Sequence, residues 1–235
     1  MRTRSAPSQS RFCGGASEPR ASASGALAQI LIVLAFPAHG EVLDRIAVTV
    51  DKQVIAESDI IRYIRVSAFL DAKPVDLSGA SKRAAAATLV DQALMMAEAA
   101  DSHFVLPTAQ DVAPLVEQVK MQYPSEAEFS EALKKYHITE PDLANHLLAG
   151  ERALRFTDLR FRPEVDISDQ DLQAAYNAYV SNWRSSHAEA PPSLEDSRED
   201  LEKLLTDQRA LKLLDQWMET ARMQKHVEYR EAAFQ

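Results

Sequence analysis

From residue 45 onward, apolar positions recur first at every second residue and then at every third or fourth. Ile46, Val48 and Val50 alternate along one face, Asp51-Lys52-Gln53 supplies a turn, and Val54-Ile55 resumes the apolar run, which predicts a small β-hairpin. Ser58 followed by Asp59 then predicts a helix start, with Ile60, Ile61, Ile64 and Phe69 marking helical spacing to about Leu70. After a loop from Lys73-Pro74 to Gly79, the alanine-rich run from Ser81 is the best helix former in the chain. Its apolar points Leu89, Ala93, Met96 and Ala97 predict a central, buried helix.

Thr108 and Asp111 stand at capping-box spacing before a stripe of Val112, Leu115, Val116 and Val119, and this third helix is expected to end near Tyr123-Pro124. Ser125 predicts the cap of a fourth helix, and Thr139 with Pro141 at the first helical position opens a fifth that runs to about Arg160. Ser168 and Asp171 cap a sixth, from Leu172 to about Trp183. The segment 184–193 with Pro191 and Pro192 reads as a linker, and Leu194 to about Gln224 as a long helix with Leu201, Leu204, Leu211, Leu214, Met218 and Ala221 on its apolar stripe. An isolated strand has no stability of its own, so the closing VEYR should pair with the hairpin. The expected fold is mainly α: one helical domain, 41–183 completed by 194–235, with a small N-terminal β-hairpin joined by a short C-terminal strand.

Ahead of this domain, residues 1–25 hold Arg2, Arg4, Arg11 and Arg20 against one acid, Glu18, and Ala26 to Ala38 is an apolar run of 13 residues. That combination is the basic and apolar pair of an export signal, too short for the ~20 residues of a membrane-spanning helix. Small residues at Ala38 and Gly40 place the expected cleavage before Glu41, giving a secreted or periplasmic protein with no stable membrane insertion after cleavage; the alternative reading is an uncut leader that retains the chain as an anchor, or a start codon assigned too far upstream. Removal of residues 1–40 also removes Cys13, the chain's single cysteine, and turns a net charge of −9 into −12, with 22 basic against 34 acidic residues.

Such an acidic chain repels a phosphate backbone, so nucleic acid is a poor partner. With no thiol, and with only Gly79 and Gly150 left after cleavage, redox centres, zinc frameworks and Gly-rich phosphate loops have no material. His103, His137, His146, His187 and His226 form no HExxH and no i, i+4 pair, and His146 with Asp142 on one helix reads as a helix-surface pair. No GxSxG, SxxK or Walker-type sequence occurs. No cofactor, metal or catalytic residue is expected.

The order of these pieces resembles the SurA-type periplasmic chaperones and their parvulin-linked peptidyl-prolyl isomerase relatives. The resemblance rests on IAVTVDKQVIAESDI, on LPTAQDVAPLVEQV, FSEALKKYHITEPDLANHL and VDISDQDLQAAYNAY, and on the long final helix ending in VEYR. In that family one or two parvulin domains of roughly 100 residues sit between the sixth helical segment and the terminal helix. Here only the 14 residues from Val180 to Ser193 fill that place, too few to enclose a core. The resemblance therefore implies a chaperone module without the isomerase, acting on unfolded or outer-membrane polypeptides and using no nucleotide.

Tyr63, Phe69, Met95, Met96, Phe104, Tyr123, Phe129 and Tyr136 are soft or aromatic residues near helix ends and connections, which makes them the sequence's candidates for an apolar client groove. Most of them are expected in the core, with roughly two or three at the surface. Two other readings stay open at this point. One is an isomerase, which would need a proline-binding active site, and the other is an assembly factor dedicated to one envelope partner. Exchange of the long terminal helix between chains would give a homodimer.

Overall fold

The computed structural model describes residues 44–186 and 189–235. The leader, its cleavage point between Gly40 and Glu41, and His187 within the proline-containing segment lie outside the described residues.

The alternation near residue 46 folds into strand β1 (Ile46–Val50), which turns through Asp51-Lys52 into β2 (Gln53–Ala56). Strand β3 (Val227–Tyr229) pairs with the other side of β1, giving a three-stranded antiparallel sheet in the order β2-β1-β3. The two ends of the domain thus meet, as the lone terminal strand required. The expected inward face is altered at one point. The register shifts between Ile46 and Val48, so Ala47 and Val48 are both buried while Ile46 is 45% exposed. A bulge places two successive residues against one partner position and breaks the period of two.

Seven α-helices follow among the described residues: α1 (Glu57–Leu70), α2 (Gly79–Asp101), α3 (Ala109–Lys120), α4 (Glu126–Lys135), α5 (Glu140–Arg160), α6 (Asp169–Ser186) and α7 (Leu194–Gln224). The fold is mainly α. Thr108, Ser125, Thr139 and Ser168 stand at helix N-termini as their spacing predicts, Ser193 caps α7 without having been read as a cap, and Asp111 and Asp142 return their carboxylates to the backbone N–H groups of Thr108 and Thr139 at 2.7 and 2.8 Å. Pro141 lies one position further in than expected, because α5 begins at Glu140.

Ser58 is not the cap of α1. The helix leaves β2 without a loop, so Ala56 is the capping residue and its N–H donates to the Asp59 carboxylate at 3.1 Å, while the Ser58 hydroxyl donates to Asp44. α2 starts two residues early, at Gly79, where the Ser78 hydroxyl accepts from the Ser81 N–H. α6 runs a turn beyond Trp183, into the expected linker.

Three apolar clusters hold these elements. The first joins the sheet to α2 and the C-terminus through Val48, Ile55, Ile60, Ala86, Val90, Leu94 and Phe234. A second, of Val66, Phe69, Val116, Phe129, Leu133 and Leu143, lies among α1, α3, α4 and α5. The third, of Met95, Ala99, Phe156, Phe161, Ala210 and Met218, joins α2 and α5 to α7. α2 contributes to the first and the third, and its deepest line is Ala86, Val90 and Leu94 rather than the half-buried Leu89, Ala93, Met96 and Ala97. A helix covered from several sides is apolar nearly all round, and its period does not select one face.

α7 departs from its expected stripe for a different reason. Leu201 is buried in its first half; Ala210, Met218 and Ala221 are buried in its second; Leu204 and Leu211 are 49% and 54% exposed. At ~100° per residue, Leu201 points about half a turn away from Ala210. The helix buries one face against α6 and nearly the opposite face against the body of the domain, and Leu204 and Leu211 fall between the two.

Candidate client groove along helix α2

One face of α2 carries Ser81, Ala84, Thr88, Gln92 and Met95, successive steps of three or four residues, and it floors three adjoining hollows. Thr88, Gln92 and, from α1, Tyr63 each border two of them, so the three are neighbours along the helix.

The first hollow, of about 230 Å³, lies among β2, α1, α2 and α5. α1 presents Asp59, Arg62, Tyr63 and Val66, and α5 presents Asp142, Asn145, His146 and Ala149, both at helical spacing, over Ile55, Leu89 and Gln92. Its rim is held by Arg62, which reaches Asp59 at 2.9 Å and Asp142 at 3.0 Å. Each of these carboxylates also accepts the capping N–H of its own helix, so one guanidinium ties together the N-termini of α1 and α5. Asp142 is thus committed to Arg62 and Thr139 rather than paired with His146.

The His146 ring sits 4.9 Å from that of Tyr63. Burial pushes its pKa below the ordinary 6.5, because the folded protein favours the uncharged imidazole. Stability from this group is complete above the unfolded value and falls as the pH drops through it, toward the lower folded value. Thermal unfolding followed from about pH 7 to 5 should show a falling midpoint that His146→Gln flattens. Asp51, Asp76, Asp111 and Asp171 are held below the usual carboxylate value of 3.8 by hydrogen bonds from His226, Ser81, Thr108 and Ser168, and their contributions vanish only at more acid pH.

The second hollow, about 450 Å³, opens between α2, α5 and α7 over Met95, Ala153, Leu214 and Met218. Arg222 crosses it to Asp91 with two bonds of 2.8 and 2.5 Å, and that carboxylate raises the Arg222 pKa. At the other end of this face of α2, the third hollow of about 290 Å³ lies between α1, α2 and the loop joining them. There Asp76 accepts from the Ser78 N–H and the Ser81 hydroxyl, and Lys73 pairs with Asp71 at 2.9 Å.

Of the eight residues read from the sequence, Tyr63 lines the first and third hollows and Met95 lies in the floor of the second. The remaining six are elsewhere. Phe69, Tyr123, Phe129 and Tyr136 interlock in the second apolar cluster, with Phe69 5.6 Å from Tyr136 and Tyr123 5.5 Å from Phe129, and Met96 and Phe104 pack against the third. Phe69 and Phe129 are fully buried core. The eight residues therefore form no single surface. Arg62, Gln92, Asn145, His146 and Arg222 were not singled out as client-binding residues. The i, i+3, i+4 recurrence of polar residues within apolar stripes was the available signal, but it does not say which helices adjoin.

Among the described residues, no three or more His, Cys, Asp or Glu side chains are placed to hold a metal ion, and no helix is long and apolar enough to cross a membrane. Comparison with family models, curated proteins and solved structures returns no match.

Proposed function

We propose that this chain is an ATP-independent holdase of the bacterial envelope that shelters unfolded polypeptides, outer-membrane proteins among them, and carries out no catalysis. One observation supports this most directly: three partly apolar hollows, each sharing a wall residue with the next through Tyr63, Thr88 or Gln92, adjoin along one face of α2. From Ser81 to Met95 the helix rises ~21 Å, room for about six residues of extended chain at ~3.4 Å each. The export leader read at residues 1–40 and the resemblance to SurA-type chaperones support the same reading. Shallow hollows with mixed polar and apolar walls suit weak, passive exchange. Each short segment gains little, and release follows from loss of apolar contact rather than from nucleotide hydrolysis.

The test is light scattering of a denatured outer-membrane protein diluted with and without the chain at matched ionic strength. Stoichiometric protein should suppress aggregation, and proline-peptide isomerisation should stay at background. Asn145→Trp puts an indole over the first hollow from an exposed position and should raise the half-suppressing concentration by about threefold to tenfold. Unchanged scattering with a chain shown to be folded by circular dichroism would overturn the proposal.

A further inference from the structure

We infer that the groove along α2 selects client segments that carry lysine or arginine among their apolar residues and rejects acidic ones. The inference rests on the holdase reading and adds the chemical class of the segment. The hollows provide the apolar floor, with Tyr63, Val66, Leu89, Met95, Leu214 and Met218 as contact surface. Their rims decide which chain fits. Seven carboxylates line the three hollows: Asp59 and Asp142 in the first, Asp91, Asp215 and Glu219 in the second, and Asp71 and Asp76 in the third. Only three cations do so, Arg62, Arg222 and Lys73, and each is already paired, with Asp59 and Asp142, with Asp91 and with Asp71.

Four negative charges are therefore in excess: one is shared by Asp59 and Asp142 across the single Arg62, and the others reside on Asp215 and Glu219, both exposed on α7 beside the apolar floor, and on Asp76, whose partners are serine hydroxyls and a backbone N–H. Asp215 and Glu219 lie four residues apart on one helix face. A lysine or arginine next to an apolar side chain could reach them while its neighbour fills the hollow, its aliphatic stem covering apolar surface on the way. A glutamate in the same place would meet a net negative rim, three carboxylates against Arg222 alone, beside the same floor.

Fluorescence anisotropy decides it, using the full chain and three labelled seven-residue peptides with identical aromatic and aliphatic residues, flanked by lysine, by glutamine or by glutamate. The lysine peptide is expected to bind about tenfold more tightly than the glutamate peptide at low salt, with the difference shrinking as salt shortens the screening length to a few ångström. Asp215→Asn with Glu219→Gln should remove most of that preference, bringing the lysine and glutamate peptides to within about twofold of each other. Glu126→Gln with Glu131→Gln, an equal charge change on α4, should leave the preference intact. Equal binding of all three peptides overturns the charge selection while the holdase reading stands. Equal loss from the α4 pair overturns it too, because the preference then belongs to the net charge of the chain. If no peptide binds and aggregation is also unsuppressed, both readings fall together.

Discussion

Phe156→Ala should cost about 3–5 kcal/mol of unfolding free energy, a third or more of the ~5–15 kcal/mol that holds a typical domain together. Phe156 is completely buried, and its ring meets those of Trp217 at 5.3 Å, Phe161 at 5.8 Å and Phe104 at 6.2 Å. It belongs to α5, Trp217 to α7, Phe161 to the end of α5 and Phe104 to the segment after α2, so one side chain joins the parts of the chain that enclose the third apolar cluster. Truncation removes the transfer energy of the ring and leaves a cavity that the surrounding elements cannot close at once. Urea unfolding should show a lower midpoint with an unchanged slope, since the folded surface is retained. A loss below ~1 kcal/mol would mean that this cluster is not closed in solution. Phe156→Leu should recover part of the loss. Because Met95 and Met218 belong both to this cluster and to the floor of the second hollow, Phe156→Ala should also weaken client holding more than its residual folded fraction explains.

Lys82→Ala should be comparably severe, at about 3–5 kcal/mol. Lys82 lies in the first turn of α2, where the positive end of the helix dipole disfavours a cation, and it is 93% removed from solvent with 7% exposure. It is accommodated because its ammonium donates to Glu57 at 2.7 Å and to the main-chain oxygens of Ala233 and Gln235 at 3.3 and 3.4 Å. Those partners come from the start of α1 and from the C-terminal turn, Glu231–Phe234, which follows β3. Without the lysine, two main-chain oxygens lose a donor and the Glu57 carboxylate keeps only Arg45 at 3.7 Å, and the joint between the two ends of the domain opens. Gly79, three residues earlier, belongs to the same joint, and a β-carbon there would collide with the carbonyl oxygen of Phe234. Lys82→Met with Glu57→Gln should be milder than Lys82→Ala alone, because the stem keeps its packing and no carboxylate faces the vacated site; Arg45, which loses Glu57, is exposed and keeps its bond to the Ala232 carbonyl. Chemical denaturation of the singles and the double gives the coupling energy, and a coupling near zero would show that the pair does not bear on stability.

The helices were legible because their signals are local. Caps at Ser125, Thr139 and Ser168 and the breaks between helices are encoded within a few residues of where they act, and so is the alternation that makes β1. Pairing of the terminal VEYR with the hairpin was also legible, since a lone strand must find a partner and only one was on offer. The groove was not, and the particular failures say why. Tyr63 and Phe69 lie on the same helix with similar chemistry, yet Tyr63 borders a hollow and Phe69 is sealed by Tyr123, Phe129 and Tyr136 from α4 and its flanks. Leu204 and Leu211 fit a helical period as well as Leu214 does, yet α7 changes the face it buries halfway along. The sequence by itself determined the number and order of the helices, the caps at Thr108, Ser125, Thr139 and Ser168, the mainly α class and the acidic balance of the chain, because caps, turns and periodicity act over a few residues. Only the tertiary structure decided which faces meet, and therefore which polar residues rim a hollow and which aromatics vanish into the core, because burial is a property of neighbours that lie dozens of residues away.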